Sequence, residues 1–442
     1  MRPLVVLGLL ALMACSEDKS PVTPPGDGGS LTPTSDISLA GEHVYDEVRI
    51  PAGVTVTASG DLKLHARRGV ELAGSIVADG HAIELRSDSS LVVTGSLRNT
   101  SSEATGDTST IALLADGDLS LRGANIRCAG DLLIQNDPTL TEADFPDSNG
   151  NAPRTTRRDA AEVIRVMKLE NTHIVFDPAT TGREGVRGLA GHRGRDYELR
   201  VRGYLQFLGN VVIEGQAGGD GGRGVDRGNV DADATGGRGG RGADVTIFAT
   251  GEIYFGGTNI IRSGRGGDGG NAEATGLAGG AGDVAARATA RGGRGGRPGL
   301  LDIRAALSIS IEGPLSLEMG RAGHGGEAIA LAADGANAGS SAPQRGGRAE
   351  AIGGRGGTTP NKRLIHRGVT GLDRVTVAGG DGGDGGDATA TAGNGGDGSS
   401  TSPDAADGGN AIAEEAEAAM RARPTPSISR SARAETAGSR PS

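Results

Sequence analysis

Large aromatic side chains are almost missing from this 442-residue chain, which contains no Trp, five Phe and four Tyr. A hydrophobic core built without them must be thin and must rely on Val, Ile, Leu and Ala. Glycine is the opposite extreme, with 80 residues. A thin core suits a solenoid, in which each coil contacts only its neighbours, better than a globule. The sequence also lacks an internal apolar run long enough to cross a bilayer as a helix.

Cysteine is nearly absent as well, and the first of the two cysteines ends an apolar leader. Residues 4–14 are too short to span a bilayer, which is typical of a secretory signal peptide. The leader ends in Leu-Met-Ala-Cys, which resembles the lipobox of bacterial lipoproteins. The resemblance implies removal of residues 1–14, acylation of Cys15 and, from Ser16, sorting to the outer membrane. The alternative is an ordinary signal peptide followed by a chance cysteine.

The residues after Cys15 predict a tether. Residues 15–36 are rich in Pro, Gly, Ser and Thr, and we interpret them as a lipidated N-terminus and a flexible linker. With Cys15 acylated, Cys128 has no partner, so no disulfide framework is expected. The strand-like surroundings of Cys128 predict a small buried hydrophobe. A reactive thiol is the alternative.

Short strands and tight turns alternate through residues 37–195. Val48, Val56, Leu64 and Leu72 fall eight residues apart, with turn residues between them. Because this unit continues without long hairpin arms, it predicts an all-β chain folded as a right-handed parallel β-solenoid; a β-sandwich is the alternative. The stretch GDLKLHARRGVELAG resembles the coils of filamentous bacterial adhesins in its rhythm.

One segment interrupts the rhythm. Residues 137–158 are rich in Pro, Asn, Asp and Gly and are predicted to form an inserted loop. Residues 160–169 fit a short helix or a strand, and the strand is favoured.

Glycine tracts dominate residues 196–410, which are predicted to form further coils with four Gly-rich excursions. In these tracts two glycines precede one variable residue, and the middle variable residues are Asp220, Asp268, His324 and Asp381. The first three excursions follow strand blocks and return through a second tract, an internal repeat typical of solenoids. This register predicts polyglycine II helices, which have three residues per turn; a disordered linker is the alternative.

The tracts resemble the polyglycine-sandwich tip of some phage tail-fibre adhesins and the Gly-rich PGRS region of mycobacterial surface proteins. The resemblance implies that the variable tips between the tracts face outwards and bind. These tips are rich in Ala, Asp, Thr and Asn, and none is predicted to be apolar enough to form a core. Residues 411–442 are predicted to form a short helix and a disordered tail.

Acids and bases segregate between the tracts. The outgoing tracts carry acids such as Asp220 and Asp268, whereas the return tracts carry arginines such as Arg238 and Arg294. We expect opposite charges on adjacent tracts to pair and to set the register of the tracts.

Signatures of catalysis and cofactor binding are missing. The GxGxxG at 264–269 is expected by chance in a Gly-rich chain, and no helix follows it. No two of the seven histidines stand at metal-ligand spacing. The Arg-Gly-Gly stretches resemble RNA-binding boxes but lack interleaved aromatics, and the net charge of −10 opposes anionic partners in general. We therefore predict no catalytic residue, cofactor, metal or nucleic-acid partner.

Together these features predict a non-catalytic scaffold or adhesin on the bacterial outer membrane. Its expected partners are the membrane, through the lipid on Cys15, and a surface glycan or another cell-surface protein. The first alternative is a β-helix protein that binds or degrades polysaccharide. The second is a structural lipoprotein that faces the periplasm.

Overall fold

The computed structural model describes residues 28–100, 110–146, 165–177, 179–228, 231–277, 285–335, 345–359, 363–366, 368–394, 410–415 and 428–430. The strands before the first long glycine tract are β1 (Ser30–Leu31), β2 (Ile37–Ile50), β3 (Thr55–Leu72), β4 (Ser75–Asp79), β5 (Ile83–Ser87), β6 (Ser90–Val93), β7 (Ser96–Thr100), β8 (Ile111–Ala115), β9 (Leu119–Arg122), β10 (Asn125–Cys128), β11 (Leu132–Gln135), β12 (Val166–Glu170), β13 (His173–Phe176), β14 (Tyr197–Val201), β15 (Tyr204–Leu208) and β16 (Val211–Glu214).

The later strands are β17 (Gly224–Gly228), β18 (Asp231–Thr235), β19 (Val245–Ala249), β20 (Ile253–Phe255), β21 (Asn259–Arg262), β22 (Ala272–Gly276), β23 (Arg287–Arg291), β24 (Leu301–Ala305), β25 (Ile309–Ile311), β26 (Leu315–Glu318), β27 (Ala328–Leu331), β28 (Ala349–Ile352), β29 (Arg363–His366), β30 (Val369–Thr370), β31 (Val375–Ala378), β32 (Ala388–Thr391), β33 (Ala411–Glu414) and β34 (Ile428–Arg430). Two short 3-10 helices cover Glu142–Asp144 and Leu372–Arg374.

Three parallel faces form the main body. Within the long strand β3, the first part pairs with β4, the middle part with β5 and the last part with β6, so one strand contributes to all three faces. Thr55 aligns with Ser75 and Ser75 with Ser96. These two coils therefore contain 75 − 55 = 20 and 96 − 75 = 21 residues.

All pairings between the described strands are parallel, and one sheet of 26 strands runs through the whole body. The prediction of an all-β parallel solenoid is confirmed. The sandwich alternative is wrong, because a sandwich of hairpins or Greek keys requires antiparallel neighbours. The sheet is continuous across residue 195, since β11 pairs with β14.

The core is a narrow stack of alternating side chains. Val48, Val56, Leu64 and Leu72 are at most 1% exposed, so the eight-residue spacing does mark inward positions. Two inward aromatic rings stack from coil to coil, those of Phe207 and Phe255, whose centroids lie 4.7 Å apart. Each strand thus buries every second side chain against the strands of the neighbouring coils.

Three local predictions can be compared with the described residues. Strand was favoured for residues 160–169: residues 166–169 lie in the strand β12, as predicted, and residues 160–164 lie outside the described residues. The folded body begins earlier than residue 37, because β1 pairs with β2 and Leu31 is 1% exposed. The helix predicted from residue 411 is wrong at its start, since Ala411–Glu414 is the strand β33 and pairs with β28. Residues 416–427 lie outside the described residues.

The glycine excursions leave the solenoid at one corner, between the face that contains β16, β21 and β26 and the face that contains β19, β24 and β29. They form a second body beside the core, which we call the fin. Its outgoing tracts are residues 217–223, 265–271, 321–327 and 381–387, and its return tracts are residues 235–242, 291–297 and 352–358.

The fin ends in two small parallel sheets. The first contains β17, β22, β27 and β32, and the second contains β18, β23, β28 and β33. Ten alanines lie between the two sheets and are at most 1% exposed: Ala232, Ala234, Ala272, Ala274, Ala288, Ala290, Ala328, Ala330, Ala349 and Ala351. The prediction that the tips carry no core is therefore wrong. Alanine side chains are small enough for two sheets to pack closely, and period-2 alternation places them all on the inner faces.

Candidate functional site

Hydrogen bonds join each glycine tract to its neighbours at intervals of three residues. Along the first outgoing tract, Gly218 and Gly221 donate their N–H groups to Arg265 and Asp268 of the next outgoing tract, at 2.8 Å each. The following glycine in each triplet bonds across to a return tract, as in Gly240 N–H to Gly219 O at 2.7 Å. A three-residue period is expected of packed polyglycine II helices.

The cross-tract bonds form one continuous chain through the fin. Successive donor–acceptor steps link His192, Gly219, Gly240, Gly267, Gly296, Gly323, Gly357 and Gly383, with N···O distances of 2.7–3.1 Å. Outgoing and return tracts therefore make two bonded layers. A Cβ built on Gly219 or Gly240 would lie well inside van der Waals distance of a backbone oxygen, from Thr180 and His192 respectively. This contact explains why two positions of each triplet are glycine.

The fin begins with a pair of tracts at residues 179–194, which was not predicted from the sequence. Gly182 N–H donates to Asp220 O at 2.7 Å, and Gly191 N–H donates to Arg238 O at 2.8 Å, so this segment forms one more outgoing and return pair. Its sequence signal is one glycine at every third position, from 182 to 194. One glycine per triplet suffices here, because no further tract packs against the other two positions. Leu189 and Ala190, for example, are exposed.

Side chains at the third triplet position accept backbone N–H groups of the next tract, and we call a row of such acceptors a capping column. Asp220 Oδ1 accepts the N–H of Asp268, and Asp268 Oδ1 accepts the N–H of His324, both at 2.8 Å. His324 Nδ1 then accepts the N–H of Asp384 at 3.2 Å. The fourth member of this column is thus Asp384, and the alignment with Asp381 predicted from the sequence is wrong by one triplet. A second column of the same kind runs along the solenoid through Asp131, Asp196 and Asp244.

Charges on the two layers do not pair across the fin, so the predicted role of Asp–Arg pairs in setting the register is wrong. Among the described residues, neither Asp220 nor Asp268 forms an ion pair with an arginine of a return tract. The register is instead set by backbone hydrogen bonds and by the capping columns. The third triplet positions point away from the opposite layer, so the two layers present two different outer faces.

The outer face of the return tracts is basic, and we call it the arginine face. Hydrogen-bond register aligns Arg238, Arg294 and Arg355 in one column and Arg193, Arg241 and Arg297 in the next. Arg187 and Arg291 belong to a third column. All eight side chains are exposed except that of Arg241, which is half-buried.

Counter-ions cover only part of the arginine face. Arg241 pairs with Asp244 at 2.6 Å, Arg193 lies 2.7 Å from Asp196, and Arg291 lies 4.0 Å from Glu350. Within the described residues, five of the eight arginines have no acidic side chain in ion-pair contact: Arg187, Arg238, Arg294, Arg297 and Arg355.

The outer face of the outgoing tracts is mixed and mainly acidic. It carries the column from Asp220 to Asp384, together with Arg265 and Arg321. A groove of about 490 Å³ runs along its base, lined among others by Glu214, Arg262 and Glu318.

Two carboxylates from the coils on either side of Arg262, those of Glu214 and Glu318, line this groove. Arg262 binds Glu214 at 2.6 Å and Glu318 at 2.7 Å, so both carboxylates are held by one guanidinium. Charge-assisted hydrogen bonds of this kind hold the two carboxylates in fixed positions. No group of three or more His, Cys, Asp or Glu side chains in the described part of the chain is arranged to hold a metal ion.

Two cysteines were singled out from the sequence. Cys15, the predicted lipidation site, lies outside the described residues. Cys128 is fully buried, as predicted, and its Sγ lies 3.1 Å from Gly130 O. Burial raises the pKa of its thiol to about 12, which opposes the alternative of a reactive thiolate.

The inserted loop at 137–158 is described up to residue 146 and packs on the solenoid. Leu140 and Phe145 form a small apolar cluster with Phe248, and the rings of Phe145 and Phe248 lie 5.1 Å apart. Arg304 stacks 4.5 Å above the Phe248 ring and donates to Pro146 O at 3.0 Å. The first part of the loop is therefore part of the folded body, not a free spacer.

The fold defines this chain as a parallel β-solenoid with a glycine-lattice fin. Comparisons with protein-family models, with curated proteins and with solved structures found no match. Across the described residues, no helix has the length and apolarity needed to cross a membrane.

Proposed function

We propose that this protein is a non-catalytic scaffold or adhesin, anchored through a lipid on Cys15 to the outer membrane of a bacterium and exposed on the cell surface. The membrane is its first partner, and a surface glycan or another cell-surface protein is the second. The observation that carries the proposal is the fin. Its backbone polar groups bond from tract to tract, and its alanine core holds the tips together.

A rigid projection of this kind suits presentation rather than catalysis. Fixing glycine costs roughly 1–2 kcal/mol of backbone entropy per residue, so an ordered fin must have many compensating contacts. Those contacts leave the third triplet residues on two outer faces and the polar positions of the tip sheets on the outside. The fin is attached to the solenoid, and each coil that has a glycine excursion adds one outgoing and one return tract to it.

Protease shaving of intact cells tests the location, with Cys15→Ser and Cys128→Ser variants in parallel. The proposal predicts cleavage of the body on intact cells for the natural chain and for Cys128→Ser. Cys15→Ser should instead appear in the soluble fraction, because it lacks the acyl anchor. Protection of the natural chain until the outer membrane is opened would contradict surface exposure and favour the periplasm-facing alternative.

The polysaccharide-degrading alternative makes a different prediction. An enzyme requires a few irreplaceable side chains, so a single substitution such as Glu318→Gln in the groove should abolish an activity. A scaffold should lose adhesion gradually as tips are removed. Release of reducing ends or unsaturated products from acidic or neutral polysaccharides by the purified chain would contradict the non-catalytic proposal.

A further inference from the structure

The arginine face is unusual within this chain because its charge opposes that of the whole molecule. The net charge is −10, yet the third triplet positions of the described return tracts carry eight arginines and no acid. Like charges at neighbouring positions repel each other, so a folded face of this kind recruits counter-ions from outside. We propose that the arginine face is a docking surface for an acidic polysaccharide, whose carboxylates bind the free guanidinium groups.

The spacing of the arginines matches a linear polymer better than a small ion. Neighbouring tracts are about 4.8 Å apart if they are spaced like hydrogen-bonded strands, and successive third positions along a tract are about 9 Å apart at 3.1 Å per residue. Four tracts with three positions each give a patch of roughly 14 Å by 19 Å. A chain of several uronic acid sugars, each with one carboxylate, can contact several columns at once.

The side-chain chemistry favours carboxylates. Every cation in the patch is Arg, whose planar fork binds a carboxylate through two parallel hydrogen bonds. Arg238, Arg294 and Arg355 are exposed and have no acidic partner among the described residues, so they are available. The third triplet positions include no aromatic side chain, so the stacking that single-stranded nucleic acids use has no platform here.

The acidic face does not cancel this attraction. It lies on the other side of the two bonded layers, and at physiological salt the Debye length is about 8 Å. A second copy of the chain is a poorer occupant than a polysaccharide. The carboxylates of Asp220 and Asp268 already accept backbone hydrogen bonds, and Arg265 and Arg321 interrupt the acidic face.

This inference deepens the proposed adhesin function but is tested on purified protein, so its outcome is independent of cell location. The probe is polygalacturonate, with neutral dextran and single-stranded DNA as comparison polymers. The test variant combines Arg238→Gln, Arg294→Gln and Arg355→Gln in the Cys15→Ser chain. The control combines Arg86→Gln, Arg98→Gln and Arg265→Gln, which are exposed arginines outside the arginine face. Both variants change the net charge equally.

Binding is measured by titration at two salt concentrations, and thermal unfolding confirms that both variants fold. We expect salt-sensitive binding of polygalacturonate, no binding of dextran, and about a tenfold loss of affinity in the test variant, because three exposed ion pairs are removed. The control should change by less than twofold. The proposal is overturned by an unchanged affinity of the test variant or by an equal loss in the control. Tighter binding of the DNA than of polygalacturonate, or salt-sensitive dimerisation through this face in place of polymer binding, also overturns it.

Discussion

Asp137 shows how one side chain fixes the inserted loop to the solenoid. Its side chain is 6% exposed and accepts hydrogen bonds from the Thr139 backbone and hydroxyl, at 2.9 and 2.7 Å. It also pairs with Arg202 and with Arg165. Burial alone would raise the pKa of Asp137, but the Thr139 hydrogen bonds and the Arg202 guanidinium outweigh it and lower the pKa below its ordinary value. The folded chain therefore favours the charged carboxylate.

We predict that Asp137→Asn lowers the free energy of unfolding by about 2–3 kcal/mol at pH 7, since it removes the ion pairs of this buried carboxylate with Arg202 and Arg165, while Arg165 keeps its pair with Asp116 at 2.8 Å. A depressed folded pKa gives stability that is fully present above the unfolded pKa, about 3.9, and is lost as pH falls through the folded pKa. The difference between the natural chain and the variant should therefore shrink below about pH 4. Urea unfolding at pH 7 and pH 3 measures both.

The control for this prediction is Asp79→Asn, at an exposed carboxylate of the solenoid. It should change the unfolding free energy by well under 1 kcal/mol at either pH. A difference between Asp137→Asn and the natural chain that stays equal at both pH values would contradict the assigned pKa direction.

Cys128 provides a second test at the residue scale. Its thiol is fully buried and its pKa is raised to about 12, first by burial. We predict that the Cys15→Ser chain reacts negligibly with a maleimide at pH 7.5, because the thiolate fraction is far below 1% and the sulfur is inaccessible. In denaturant the same thiol should react fully. Fast labelling of the folded chain would show that this coil opens or that Cys128 is exposed.

At the scale of elements, the fin depends on glycine at two positions of each triplet. We predict that Gly240→Val disorders its excursion, because a Cβ at this position meets the backbone oxygen of His192. The local cost is roughly 2–3 kcal/mol or more, as for overpacked cores. Hydrogen exchange of the Gly267 amide, which bonds to Gly240 O at 2.9 Å, should speed up.

Gly368→Val is the matched control, since a Cβ on that exposed glycine has nothing within 4 Å and its φ is not positive. Exchange within the fin should stay as in the natural chain. If Gly240→Val also leaves the Gly267 amide protected, the bonded two-layer lattice is wrong.

The same elements show what the sequence could predict. Period-2 alternation of Val, Leu and Ile marked the solenoid strands, because each inward side chain is large enough to stand out from its neighbours. Alternation in the tips went unnoticed because its inward residues are alanines, such as Ala288 and Ala290, which bury little area each. The tracts within residues 182–194 were not predicted, because the outermost pair of tracts requires only one glycine per triplet.

The charges at the third triplet positions do not predict which tracts are neighbours in the fin. The acids bond to the next outgoing tract through capping columns, whereas an ion-pair argument places them beside arginines. Exposed ion pairs contribute only about 0–1 kcal/mol, while every tract has backbone donors that must be satisfied. The backbone requirement therefore determines the lattice, and the charges are left on the outer faces. The single-triplet error at Asp384 arose because the coil lengthens by four residues there, from 315 − 259 = 56 to 375 − 315 = 60.

On the scale of the whole molecule, solenoid and fin share one repeat. Asn259 aligns with Leu315, His324 donates its N–H to Asp268 Oδ1, and Ala272 aligns with Ala328, so the strand, the outgoing tract and the first tip strand all have the same 56-residue offset. Each repeat, made of one coil and its pair of tracts, contacts mainly the repeats on either side of it. Stability in such an array is approximately a sum of nearest-neighbour terms.

We therefore predict that a deletion of residues 259–314 yields a folded chain that lacks one coil and one pair of outgoing and return tracts. Leu315 would take the place of Asn259 beside Val211, and His324 would take the place of Asp268 above Asp220. The far-ultraviolet circular dichroism per residue should be unchanged, and unfolding should stay cooperative. The comparison is a deletion of residues 264–291, which removes an outgoing tract and both tip strands but keeps residues 292–297 of the return tract.

In that second deletion the chain would have to pass directly from the base of the fin to its tip, a distance of roughly 22 Å for seven tract residues at 3.1 Å each. No residues remain to span this distance, so the return tract must detach, and the tracts on both sides of it lose their hydrogen-bond partners. We expect lower cooperativity and faster exchange of the Gly221 and Gly323 amides, which donate to Asp268 O and Gly296 O of the removed or detached tracts. Equal stability of the two deletion variants would mean that the fin is independent of the solenoid repeat. If the coil deletion is stable and the tract deletion is unstable, each coil and its pair of tracts fold as one unit.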